Sequence, residues 1–173
     1  MVAQSVKLPN NARVIVFCER HAMLAEMNTG QRRLSDVVND PMHKLIQIEQ
    51  VKINRSDRMD ENVAEYERAV IKREAVQALM VMTEPSRPPQ QRISNYVPKQ
   101  PVRIAALLPS FHIVGKVYLS GKVDAVEFLL DGTEAFAVLR EATVTMTART
   151  DKPIHVPIAF LNRAHIELAT AIQ

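Results

Sequence analysis

Half of the ten prolines in this chain fall in one segment, residues 85–101, which reads PSRPPQQRISNYVPKQP. Proline removes an amide donor and favours extended chain, so this segment is read as a semi-stiff linker rather than a strand or helix. It splits the 173 residues into stretches of 84 and 72 residues, each small but able to fold.

A central linker invites comparison of the two sides. At an offset of 91, His21 falls on His112, Gly30 on Gly121, Asp36 on Glu127 and Val38 on Leu129. Leu45, Ile48, Val51 and Ile53 fall on Phe136, Leu139, Ala142 and Val144. One position less aligns Val70, Ile71, Lys72 and Arg73 with Phe160, Leu161, Asn162 and Arg163. Identities are few, but the apolar positions keep phase, and the reading is an internal duplication: a first repeat over residues 1–84, the linker over 85–101 and a second repeat over 102–173.

Each repeat reads as five short strands and one helical turn. Residues 13–18 and 102–108 are apolar runs of strand length. Residues 22–28 and 113–119 follow, and Ile113, Gly115, Val117 and Leu119 alternate as in a half-buried strand. Gly30 and Gly121 mark turns. Leu34, Val37 and Val38 lie on one helical face, matched by Ala125, Phe128 and Leu129. Third strands are expected at 44–54 and 135–147, and last strands at 68–73 with 76–82 and at 156–162 with 166–171. The connection at 149–153 reads as a hairpin turn. That at 56–67 reads as a solvated acidic insertion, with Ser56 able to cap a short helix presenting Met59, Val63 and Tyr66. Its Asp57, Asp60 and Glu61 do not have the spacing of a calcium loop. The expected fold class is mainly β: two tandem five-stranded barrels of the small SH3-like kind, each with a short helical turn.

These residues carry a resemblance. Gly115, the Asp36-x-x-Asn39 element, and the Ile48-x-x-Val51 and Leu139-x-x-Ala142 steps resemble the first Sm motif. Residues 71–76 and 161–166, where a strand ends in Arg73 or Arg163 before a hydrophobic strand, resemble the second. The run Arg33-Leu34-Ser35-Asp36 is most similar to a turn of uncharacterised bacterial Sm-like domains. The resemblance implies tandem Sm-like barrels and, as candidate ligand or RNA-binding residues, Asp36, Asn39, Lys72, Arg73, Asn162 and Arg163. The chain departs from the RNA-binding pattern. Glu74 and Ala164 stand where that pattern has glycine, Glu127 and Leu130 replace the Asp36 and Asn39 of the other repeat, and neither repeat has a stacking aromatic at the expected place. For Arg73 and Arg163 the competing expectation is an ion pair with Asp36 or Glu127 of the same repeat.

Charge narrows the function classes. The net charge is +3, from 22 basic and 19 acidic residues. Arg87, Arg92 and Lys99 account for it, since residues 85–101 contain no acid. The repeats themselves are neutral. With four glycines, a phosphate loop built from backbone amides is excluded. There is no Gly-x-Ser-x-Gly and no paired-histidine helix. Cys18 sits in an apolar run without a flanking base and reads as a small buried hydrophobe. His21 and His112 read as one repeated position between two strands. The chain is therefore read as a non-enzyme without cofactor or metal. No stretch is apolar enough for a membrane helix, residues 1–11 do not read as a signal peptide, and one cysteine fits a reducing, cytoplasmic setting. Two functions are carried forward: an interaction or scaffold protein, with a protein partner or self-association through strand edges, and, as the alternative, an RNA- or nucleotide-binding module using the strand-end arginines and the basic linker.

Overall fold

The computed structural model describes residues 11–83 and 98–172. The first stretch holds β1 (Asn11–Phe17), β2 (His21–Asn28), α1 (Leu34–Val38), β3 (Leu45–Arg55), β4 (Asn62–Lys72), a 3-10 turn (Arg73–Ala75) and β5 (Ala78–Thr83). The second holds β6 (Gln100–Leu108), β7 (Phe111–Leu119), α2 (Ala125–Asp131), β8 (Phe136–Met146), β9 (Arg149–Asn162), a 3-10 turn (Arg163–His165) and β10 (Leu168–Ala171). The order of elements is the same in both halves. The linker expected to run to Pro101 ends earlier, because Gln100 and Pro101 already pair with Leu119 and Tyr118.

The fold is mainly β, and every neighbouring pair of strands is antiparallel. The two separate closed barrels expected from the sequence are not what forms. All ten strands make one open sheet in the order β10-β6-β7-β8-β9-β5-β1-β2-β3-β4. The reason lies at the 3-10 turns. Arg73–Ala75 carries the chain from β4 across to β1, where Gln77 N–H donates to Phe17 O. This leaves the other edge of β5 open, and β9 fills it, with Ala78, Leu79, Met80 and Val81 opposite Leu161, Phe160, Ala159 and Ile158.

The middle strands β1 and β5 are buried on both faces over most of their length, and the two faces serve two cores. Val14, Val16, Leu79 and Val81 face one core with Leu34, Val38 and Ile48. Ile15, Phe17, Ala78 and Met80 face the other with Phe111, Ile113 and Leu129. Phe17 meets Phe111 at 5.4 Å between ring centroids, within the range where tilted aromatic pairs attract. In exchange the second half contributes Phe136, Ile158 and Phe160 to the first half's core.

Each half bends at a bulge. Gln50 and Glu141 both have φ of 50°, unusual for residues with a side chain. The pairing slips beside them, between Leu24 and Glu26 and between Val114 and Lys116. In the second half the bend brings β8 onto Gly115, where an added Cβ would lie 3.1 Å from Leu139 Cβ and 3.2 Å from Arg140 O. Gly115 is therefore a close-approach residue.

Three local expectations are corrected. Residues 56–67 contain no helix: a turn follows Arg55, Asn54 Nδ2 donates to Met59 O at 2.9 Å, and β4 begins at Asn62. The alternation around Tyr66 was masked by charged residues on an exposed strand. Residues 149–153 lie within β9, the turn being at Thr147 and Ala148. Pro153 is tolerated beside a register shift, where a ladder bond is already lost. Finally, Phe17 pairs with Ala22 as Leu107 pairs with His112. His112 thus corresponds to Ala22 and His21 to Phe111, so the two histidines do not share a position.

The shared core makes a quantitative expectation. Replacing Phe160, 2% exposed, by Ala should cost about 3–5 kcal/mol in urea unfolding. Because its ring sits among first-half residues, both halves should lose stability in the same transition. A cost within about 0.5 kcal/mol, the usual range for surface changes, would contradict the shared core.

Candidate functional site

Of the six residues singled out as a ligand site, Asn39, Arg73, Asn162 and Arg163 make hydrogen bonds within the fold, and Arg73 and Asn162 are brought together. Asn39, at the C-terminal end of α1, pairs with a strand of the other half. Its Oδ1 accepts from Phe136 N at 2.8 Å, and its Nδ2 donates to Phe136 O at 3.2 Å. The amide side chain acts as one more backbone unit on the edge of β8. Nδ2 also lies 3.3 Å from Glu134 Oε2.

Asn162 performs a comparable task at the end of β9. It is buried. Its Nδ2 donates to Val76 O at 2.8 Å and to Arg73 O at 3.4 Å, while Oδ1 accepts from Ala164 N at 3.1 Å. Its backbone N–H donates to Gln77 O. Both asparagines thus hold the halves together. Three further contacts cross the same junction: Ser110 Oγ to Glu19 O at 3.2 Å, His165 Nε2 to Glu74 O at 2.7 Å, and Arg149 to Asp60 at 3.8 Å.

The arginines turn inward. Arg73 Nη1 donates to Asp40 O at 2.6 Å. Arg163 donates through Nη1 to Glu134 O and through Nη2 to Phe128 O at 3.1 Å. Its guanidinium carbon stands 5.5 Å from the Phe128 ring centroid, a cation–π distance. Burial pushes the Arg163 guanidinium below its ordinary value, with Glu134 pulling the other way. A Cβ on Gly132 would meet this guanidinium, so a side chain there would require the end of the arginine to move. Each arginine ties the segment after its helix to the strand end. The expected ion pairs with Asp36 and Glu127 are replaced by bonds to carbonyls, which need no second charge brought out of water.

Asp36 is exposed, with Ser35 Oγ 3.3 Å from its Oδ1. The carboxylate that organises this loop is Asp40, which sequence reasoning passed over. It accepts from Met42 N at 3.0 Å and contacts Arg32 at 2.9 Å and His43 at 3.1 Å. The Met42 backbone bond, with help from Arg32, holds its carboxyl below the usual value. The Asp-Pro-x-His spacing was its only sequence signal.

Lys72 is exposed at the end of β4, beside a recess of about 470 Å³ lined by Lys44, Leu45, Arg73 and Glu74. Arg87 and Arg92 lie outside the described residues. Lys99 is exposed and lines a cleft of about 390 Å³ where α1 meets β7 and β8. Arg33, Lys116 and Arg140 also line that cleft, around Tyr118, Phe128 and Phe160. Lys116 is ion-paired with Glu141, which Tyr118 Oη also approaches at 3.2 Å. Burial pushes the Cys18 thiol up to about 11. The histidines are dispersed: His155 Nδ1 lies 3.0 Å from Thr143 Oγ1, and His43 sits beside Asp40.

Comparison with protein-family models, with curated proteins and with solved structures finds no match to this chain. No helix among the described residues is long and apolar enough to cross a membrane.

Two measurements check these assignments. Asn39→Ala strands the amide and carbonyl of Phe136, so it should cost about 1–3 kcal/mol in thermal or urea unfolding. A neutral effect of Asn39→Ala would remove its bridging role. The Cys18 thiol should react with a disulfide reagent at pH 8 at least about tenfold more slowly in the native chain than in the unfolded one. Equal rates would contradict its burial.

Proposed function

We propose that this chain is a non-enzymatic interaction or scaffold protein built from two copies of one Sm-like unit, and that it works through the edges of its sheet. The observation that carries this reading is the state of those edges. β4 and β10 end the ten-stranded order, and Val63, Tyr66 and Val70 on β4 and Leu168 on β10 are exposed. An edge strand with apolar side chains offers a template for another strand. Four of the six residues that resembled an RNA site, Asn39, Arg73, Asn162 and Arg163, are occupied in holding the fold, which favours the interaction reading over RNA binding at those arginines.

The cleft favours a second reading, an anionic ligand such as RNA or a nucleotide, bound there instead of at the strand ends. Arg33, Lys99, Lys116 and Arg140 supply cationic character and Tyr118 a ring face, the combination that single-stranded nucleic acid uses.

Titration with single-stranded RNA in about 50 mM salt, where phosphate contacts bind strongly, separates the two. The interaction reading expects no saturable binding. Saturable binding that weakens steeply with salt and disappears in Arg140→Ala would decide for the cleft and overturn the scaffold reading.

A further inference from the structure

We infer that the cleft between the halves is a site for one small amphipathic anion, a medium-chain aliphatic carboxylate whose chain lies on the shared core and whose head meets Arg140. This rests on reading the cleft as an anion site and names the class of ligand, which is not a nucleic acid.

The cleft is where the cover of the sheet runs out. Phe136, Val138 and Arg140 alternate along β8 and so share one face. Val138 lies opposite Phe160, and Arg140 lies opposite Lys116 on one side and Ile158 on the other. α1 of the first half packs on the inner end of this face. Its Leu34 belongs to one buried cluster with Phe136, Ile158 and Phe160, and the half-buried Val138 packs against that cluster. Along β8 the side chains go from Phe136, 0% exposed, through Val138 to the exposed Arg140. The cleft of about 390 Å³ is the space left at that transition. Its depth is apolar. Its mouth is cationic, since Arg33 and Lys99 on the lining are exposed as well.

The fold does not require these cations. Gln50 and Glu141 mark the same bulge in each half. The residue before each bulge faces a counterpart on the neighbouring strand: Glu49 faces Glu26, and Arg140 faces Lys116. The same framework therefore carries an acidic pair in one half and a basic pair in the other. Like charges directly opposite each other across two strands are destabilising. In the first half both members are relieved, because Arg68 stands 3.9 Å from Glu49 and Asn11 Nδ2 donates to Glu26 Oε2 at 2.9 Å. In the second half Glu141 relieves Lys116. The place opposite Arg140, which Arg68 holds opposite Glu49, is taken by Ile158. Arg140 thus has no ion-pair partner among the described residues. An anionic head at the cleft mouth supplies the missing counter-charge, and the guanidinium fork can hold a carboxylate by two parallel hydrogen bonds.

The surroundings select the rest of the ligand. A bare inorganic ion would leave the apolar depth in water. A nucleic-acid strand needs a basic groove that runs on past one site and ring faces for successive bases. Here Glu141 stands at one wall against Lys116 and Tyr118 Oη, where its carboxylate would repel a passing phosphate. Arg163 stands 5.5 Å over the Phe128 ring, so a cation already takes up one of the two rings. The volume lies within the ~300–1,000 Å³ of small-ligand pockets. One acidic head on a short aliphatic chain matches the charge, the depth and the volume together.

The test is calorimetric titration of the full chain with sodium octanoate. Octanoate should bind saturably at one site per chain. Butyrate should bind about tenfold more weakly or worse, because each buried methylene adds to affinity. Octyl glucoside, the same chain on a neutral head, should also bind about tenfold more weakly. Arg140→Ala should weaken octanoate binding about three- to tenfold, and Arg140→Lys should retain part of it. Arg68→Ala, on the matching face of the first half, should leave it unchanged. Equal affinities for octanoate and butyrate would mean an anion site without a place for the chain, which overturns the inference and leaves the cleft reading standing. Salt-dependent RNA binding that is lost in Arg140→Ala, without octanoate binding, would do the same. Octyl glucoside binding as tightly as octanoate, or octanoate binding untouched by Arg140→Ala, would overturn the inference as well. If octanoate, phosphate and RNA all fail to bind, the inference and the cleft reading fall together.

Discussion

The β5–β9 pairing is the contact on which the rest of the structure depends. Without it each half would expose one more strand edge and would lose part of its core. With it, β5 and β9 become interior strands buried on both faces, and two small cores become interlocked. Phe136, Ile158 and Phe160 complete the first half's core, while Ile15, Phe17, Ala78 and Met80 complete the second's. A stretch of about 70 residues buries a modest fraction of its surface, so an exchange of large side chains is a substantial share of what stabilises each half.

The polar chemistry follows from that packing. Bringing β8 and β9 against α1 and β5 leaves backbone groups at the strand ends that must find partners away from water. Asn39 and Asn162 supply them, each offering a donor and an acceptor from one side chain. Arg73 does the same for the Asp40 carbonyl after α1, and Arg163 for the Phe128 carbonyl in α2 and the Glu134 carbonyl after it. Side chains that resemble a binding motif are thereby committed to the fold. The exposed groups include the apolar edge residues of β4 and β10 and the cations that line the cleft.

Much of the local architecture was legible in the sequence. The alternation of Ile113, Gly115, Val117 and Leu119 placed β7, and the spacing of Leu34, Val37 and Val38 placed α1, because both patterns are consequences of one element facing one core. β4 was legible only at its end. Its earlier residues alternate charges on an exposed strand, where no buried face imposes a period. The Asp-Lys-Pro run at 151–153 reads as a turn by residue type, yet the strand tolerates it at a register shift. The offset of one residue that set His21 on His112 arose because the halves differ in length between the second strand and the helix, which apolar phase does not reveal.

Side-chain period, a local property, marked the mainly β character and most of the order of elements. Tertiary structure alone decided that the halves share one open sheet, that Asn39 and Asn162 are clips, and that Arg163 is turned onto the Phe128 ring and nearby carbonyls. Each of those outcomes depends on which edges meet. That choice is made by burial and hydrogen bonding between residues far apart in the chain, and no local pattern records it.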